Sequence, residues 1–189
     1  PRAPLLPRRP GAGQLRLRRR DLTQAYFVRL IRVPATPRKL LALSAALEIV
    51  GSDPDARLFQ EVRERLGLGY DIGASLDVGP DWGVAVLFAS ASRHDAQRLH
   101  DTINRTCAAA ADGFAVEELE RVRKKIRYRF ARLAQSNLDR ALSHASRAAC
   151  GQPTLAVSER LLASISLPEV ERAWREALQA PALTAVMSG

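Results

Sequence analysis

The stretch from Ala56 to Leu76 restricts the fold more than any other part of the chain. Leu58, Phe59, Val62 and Leu66 recur at three- and four-residue spacing and lay one apolar stripe along a helix over 56–66. Gly67 stops that helix, because glycine takes the left-handed turn at a helix end without steric cost. A strand pattern follows at once over 68–76 and a second over 83–91. The turn Val78-Gly79-Pro80-Asp81 between them predicts an antiparallel hairpin.

The flanking sequence extends this alternation of periods. Residues 1–13 hold four prolines and two glycines and read as an entry segment, ahead of a single domain over 14–189. The opening Pro1, with no initiator Met or signal pattern, reads as a fragment boundary. Strands are expected over 14–20 and 24–33, joined as a hairpin through Asp21-Leu22-Thr23. Pro34 and Pro37 close the second strand and open a helix over 37–50, with Leu40, Leu41, Leu43, Leu47 and Val50 toward the core. In the turn 51–55, Asp53 and Asp55 are expected to cap the next helix.

Helical spacing then dominates. Helices are expected over 93–112, from 116 to a break near Gln135-Ser136, and over 137–150, 155–164 and 168–179, with a closing strand over 182–188. Glu117 with Arg121 and Glu120 with Lys124 form favourable pairs one turn apart on the long helix. The fold class is α+β: a largely antiparallel sheet with helices packed on it. With 189 residues, one core buries roughly 70% of the surface that the unfolded chain exposes.

Composition narrows the function classes. The longest apolar run, residues 40–50, is broken by Ser44 and Glu48 and falls short of the roughly 18 residues a membrane helix needs. A soluble protein of the bacterial cytoplasm or periplasm is expected. The net charge of +9 is nearly all Arg, with Lys only at 39, 124 and 125. Aromatics make up 5% of the chain and do not interleave with the basic run Arg16–Arg20, so the stacking platform of a nucleic-acid binder is missing and no nucleic-acid partner is expected. Cys107 and Cys150 lack metal-ligand spacing and read as free thiols on helices.

His94, His100 and His144 form neither H-E-x-x-H nor H-x-x-E-H, so no zinc site is expected from this chain alone. Gly67-Leu68-Gly69 is not a dinucleotide fingerprint: position 72 is Ile, and the glycines follow a helix where phosphate binding needs one to follow them.

The run Arg57-Leu58-Phe59-Gln60-Glu61-Val62-Arg63-Glu64-Arg65-Leu66-Gly67-Leu68-Gly69-Tyr70 resembles a segment that marks the C-terminal domain of the pitrilysin, insulysin and mitochondrial processing peptidase family, the inverzincins. The likeness extends in weaker form over nearly the whole chain, including the Gly83 strand, the long helix that opens with Glu118-Leu119 and the closing strand. It implies a peptidase built from two similar domains or subunits. One carries the H-x-x-E-H zinc site; the other faces it across a chamber and offers an Arg and a Tyr to the peptide substrate. By match these are Arg63 and Tyr70. The resemblance therefore implies a metal-free, substrate-gripping half, with no cofactor in this chain and zinc on a homologous partner domain or subunit.

The chemistry agrees with the residue types. Arg63 lies just off the apolar stripe, so it can emerge beside the core, and Tyr70 starts the next strand. A guanidinium and a phenol are both donors, and aimed at a scissile carbonyl they favour the developing oxyanion. The competing expectation is structural: Arg63 paired with a helix carboxylate and Tyr70 packed in the core. The sequence also departs from the family, because Val50-Gly51-Ser52-Asp53-Pro54-Asp55-Ala56 replaces its glycine-rich lead-in and alters the loop before the motif. The alternative reading is a non-catalytic, peptidase-like assembly subunit.

Overall fold

The structure, a computed structural model, describes residues 12–19, 21–34, 36–51, 53–69 and 71–188. Its strands are β1 (Gly13–Arg18), β2 (Gln24–Val33), β3 (Ile72–Val78), β4 (Gly83–Ser92) and β5 (Ala182–Ser188). Its helices are α1 (Pro37–Gly51), α2 (Arg57–Phe59), α3 (Ala96–Ala109), α4 (Val116–Gln135), α5 (Asn137–Ala149), α6 (Leu155–Ser164) and α7 (Leu167–Gln179). The strands form one sheet in the order β1-β5-β2-β4-β3, antiparallel except for the parallel pair β1–β5. This is the α+β architecture expected, and the β3–β4 hairpin is present.

The expected β1–β2 hairpin is absent, because β5 lies between those strands: Val28 of β2 faces Ala185, which also faces Leu15 of β1. The reason lies in the side chains. β5 is mostly apolar and saturates both of its edges by pairing on two sides, whereas every residue of β1 is exposed and suits an edge. β1 begins at Gly13, one residue into the expected entry segment, and residues 1–11 lie outside the described ones. β3 begins at Ile72 and not at 68, because Leu68 is spent closing the preceding helix and Gly69 presses against Ser90.

Period-two alternation gives the sheet two different faces. Phe27, Ile31, Ala85, Leu87 and Ala89 point toward the helices and are buried. The opposite face carries Leu15, Leu17, Tyr26, Leu30 and Leu183, between 37% and 47% exposed. α1 packs behind the sheet and is buried almost all round from Leu40 onward, including Ala42, Ala45 and Ala46 between the expected leucines. Trp174 of α7 is fully buried, and its Nε1 donates to the Cys107 carbonyl at 3.1 Å. Burial also pushes the Cys107 thiol up to about 12. Arg38 grips both carboxylate oxygens of Glu169 at 2.7 and 3.0 Å, tying α1 to α7. With the Ser166 amide as a second donor, this holds the Glu169 carboxyl down at about 2. On α4, Glu120 pairs with Arg123 and Arg121 reaches Asp55, in place of the two expected pairs one turn apart.

The topology predicts unequal costs at the two termini. A chain ending at residue 181 loses an interior strand and no longer unfolds cooperatively in urea, whereas one starting at residue 20 loses, among the described residues, only exposed ones at the sheet edge and keeps a sharp transition. Equal transitions, followed by circular dichroism, would contradict the interior place of β5.

Candidate functional site

The motif helix changes character partway. α2 continues without a break as a π-type turn over Gln60–Arg65, closed by the Leu66 amide on the Glu61 carbonyl at 3.2 Å. Such wide turns cost hydrogen-bond quality and concentrate at functional sites. The helix then ends through two further bonds, Gly67 N–H to Arg63 O at 3.1 Å and Leu68 N–H to Val62 O at 2.8 Å. Gly67 has φ 59°, the left-handed conformation that glycine takes freely. Gly69 serves a different purpose: a Cβ there would stand 2.1 Å from the Ser90 carbonyl oxygen, so only glycine lets the chain press against β4.

Arg63 sits on the π-type turn. Its guanidinium lies over the Phe59 ring at 4.9 Å, and its Nε is 3.9 Å from Glu64 Oε1, at the outer limit of an ion pair. The side chain is 43% exposed. Tyr70, the other residue singled out, lies outside the described residues. Beside the glycine turn opens a cleft of about 350 Å3, lined in part by Gly67, Leu68, Ser90, Ser92 and Asp95.

The neighbouring arginine has a different task. Arg57 donates to both oxygens of Glu118 at 2.9 and 2.7 Å and to the Gly113 carbonyl at 3.0 Å, with its guanidinium 5.0 Å from the Phe114 ring. Glu118 also accepts the Ala115 amide at 2.7 Å, so one carboxylate anchors the motif helix and caps α4. Burial raises the Glu118 carboxyl, but the hydrogen bonds from Arg57 and Ala115 outweigh it and hold the group below the usual range. Sequence reasoning noted both residues without pairing them; the only local signal was an acidic first turn on α4 facing a basic motif.

A buried charge cluster holds the turn before the motif. Glu48 of α1, 7% exposed, meets Lys125 at 2.6 Å and Arg129 at 2.9 Å, and Lys125 also binds Asp53. Burial would lower the Lys125 ammonium, but Asp53 and Glu48 raise it above its ordinary value. Asp53 therefore does not cap α2 as expected; Ala56 occupies that position without a side-chain bond. Pairing a half-buried ammonium beside the buried Glu48 outranks a cap worth about 1 kcal/mol.

The histidines are dispersed. His94 and His144 are exposed, and His100 packs edge-on against Phe27 at 5.8 Å with Asn104 at 3.3 Å. Among the described residues no three His, Cys, Asp or Glu side chains group as metal ligands. Cys107 and Cys150 are both free thiols, and no described helix is long and apolar enough to cross a membrane.

Substitutions separate these roles. Gly67→Ala costs about 1 kcal/mol for the left-handed backbone, whereas Gly69→Ala costs about 3 kcal/mol because the Ser90 carbonyl must shift. Chemical denaturation of the two variants checks the order. Glu118→Gln lowers stability by about 2 kcal/mol at neutral pH. Because folding lowers the Glu118 pKa, its contribution is complete above the usual carboxylate range, near pH 4, and disappears as pH falls through the folded value. The variant's stability should therefore vary less with pH across that window, as read from melts in an acid series.

Known proteins share this fold and part of this sequence. Residues 1–126 match the family described as the peptidase M16 inactive domain. An uncharacterized zinc protease of Rickettsia bellii is 34% identical over 79 residues, 42% of this chain and 19% of that protein. One of Mycobacterium tuberculosis is 35% identical over 95 residues, 47% of this chain and 22% of its own. The matches thus span about a fifth of these relatives. Among solved structures, a Helicobacter pylori protease superposes with a TM-score of 0.86 over 97% of this chain and 45% of its own, at 16% identity. The peptidase M16 inactive domain of Pseudomonas fluorescens gives 0.80 over 94% of this chain and 43% of its own, at 15% identity. With two thirds of its length matched by the family and almost all of it sharing the fold, this chain belongs to the peptidase M16 inactive-domain family.

Proposed function

We propose that the domain is the metal-free, substrate-gripping half of a zinc metalloendopeptidase. The observation that carries this reading is Arg63, displayed part-exposed on a π-type turn over Phe59, four residues before the Gly67 that lines a cleft of about 350 Å3. The described residues do not fit a zinc ion, since no ligand group is present among them, so the metal is assigned to a homologous partner domain or subunit. Arg63 and Tyr70 then act as donors. Both hydrogen-bond the carbonyl oxygen of the bound peptide, and these bonds strengthen as that oxygen gains negative charge.

The uncovered sheet face supports a paired arrangement. Leu15, Leu17, Leu30 and Leu183 form a continuous apolar patch across β1, β5 and β2, and such patches mark interfaces. Its proposed occupant is the zinc-bearing homologous domain. The motif enters β3 at the end of the sheet where Ser90 faces Tyr26. A second reading, a non-catalytic assembly subunit, rests on the same patch and on the altered turn 51–55, where Lys125 holds Asp53.

Kinetics on the assembled protein separate the two readings. Arg63→Ala and Tyr70→Phe should each lower kcat by about 10²–10³ while zinc content and melting temperature stay near wild type. Near-normal kcat/KM in both would remove the donor roles and leave the assembly reading. In a separate binding assay, Leu30→Lys should weaken association with the zinc-bearing domain without changing the melt of the isolated chain; unchanged association would place the partner elsewhere.

A further inference from the structure

A larger cleft, about 440 Å3, lies on the helical side of the β3 edge, between α1, α4 and the α5–α6 junction. Its volume falls within the range of small-molecule sites, roughly 300–1,000 Å3. Its walls are about evenly polar and apolar, the apolar part formed by side chains that include Leu41, Leu76, Trp82 and Phe130. One polar group stands apart from these. Arg147 of α5 is half-buried; its Nε donates to the Pro153 carbonyl at 2.6 Å, an Nη to the Ser158 hydroxyl, and its guanidinium carbon lies 5.9 Å from the Phe130 ring centre.

Every one of these partners is neutral. Burial draws the Arg147 pKa below its ordinary value, and nothing opposes that shift. Two other half-buried cations meet carboxylates, Arg57 at Glu118 and Lys125 at Glu48 and Asp53, whereas Arg29, outside this cleft, shares the neutral pattern with Thr184 and Asn104. A guanidinium removed from water and given only neutral acceptors favours an anion brought to it. The apolar part of the walls specifies what that anion is attached to. Asp77, exposed at the rim, disfavours a second negative charge.

We propose that this cleft binds a small amphipathic monocarboxylate, with its carboxylate on Arg147 and its apolar or aromatic group against Trp82, Leu41 and Leu76. Two sources share this chemistry: a free aryl or acyl acid, and the C-terminal carboxylate of a short peptide that ends in an apolar residue. The inference is independent of the roles of Arg63 and Tyr70, since the cleft is built from other elements.

The protein contains its own reporter. Cys150 lines the cleft, with its thiol donating to the Val78 carbonyl at 3.3 Å. Cys107 is buried, with its thiol pushed up to about 12, and does not compete for an alkylating reagent. Iodoacetamide modification of the intact chain therefore reads occupancy of the cleft at Cys150. The probes are phenylacetate, its neutral counterpart phenylacetamide, and an N-acetylated Ala-Phe dipeptide as free acid and as amide. At millimolar concentration at least one acid should slow Cys150 alkylation severalfold while its amide does not. Arg147→Gln should weaken that protection about tenfold or more, the loss of one charge-assisted contact. Protection by phenylacetate alone identifies a free acid as ligand, and by the dipeptide acid alone a peptide C-terminus. Equal protection by acid and amide, no protection by either acid, or full protection retained in Arg147→Gln would each overturn the proposal. If Arg147→Gln does not fold, the acid-against-amide comparison on the wild-type chain decides.

Discussion

α1 has almost no wet side, and much of the molecule follows from that. It lies between the sheet and the outer helices, with Ala42, Ala45 and Ala46 letting its neighbours approach closely while Leu43, Leu47 and Ile49 fill the remaining volume. Into this helix the sequence places one carboxylate, Glu48. A charge so nearly removed from water must be paired or it destabilises the fold by several kcal/mol. Lys125 and Arg129 of α4 supply the pairing, and Lys125 carries the effect onward by holding Asp53. The position of the turn before α2 is thus set by a charge buried in a different helix.

From there the motif is fixed at both ends. Arg57 locks its start to Glu118 at the head of α4, and Gly69 presses its end against Ser90 of β4. The π-type turn between these anchors has little freedom to move, and Arg63 stands on it with its guanidinium over the Phe59 ring. Side chains that do no chemistry therefore determine where the guanidinium points, and a rigid support of this kind limits the entropy lost when a ligand is gripped.

The parts legible in the sequence are those set by neighbours along the chain. The apolar stripe of α2, the Gly67 stop, the β3–β4 hairpin and the amphipathic helices were expected close to where they occur, because periodicity and glycine geometry act over a few residues. Other features depend on contacts distant in sequence and left no local sign. Nothing in Asp21-Leu22-Thr23 indicates that a strand more than 150 residues away separates β1 from β2. Asp53 looked like a cap because only its neighbours were visible, whereas Lys125, which claims it, lies 72 positions on. Arg57 and Glu118 were each noted and not joined, for they meet across 61 positions. Arg147 attracted no notice in the sequence, since an arginine on an amphipathic helix is ordinary until its burial and its neutral partners are seen.

The interior place of β5 also has a bearing on how the chain is made. During synthesis β1, β2 and all the helices leave the ribosome while the slot between β1 and β2 has no occupant. Until residues 182–188 emerge, the open edge of β2 offers unpaired backbone amides and carbonyls to any passing strand. The nascent domain thus spends most of its translation incomplete, and its final assembly waits on a contact between the two ends of the chain. Such distant pairings slow folding, because loop-closure entropy must be met before the contact stabilises anything. A holding chaperone would act most effectively at that stage, on the edge of β2.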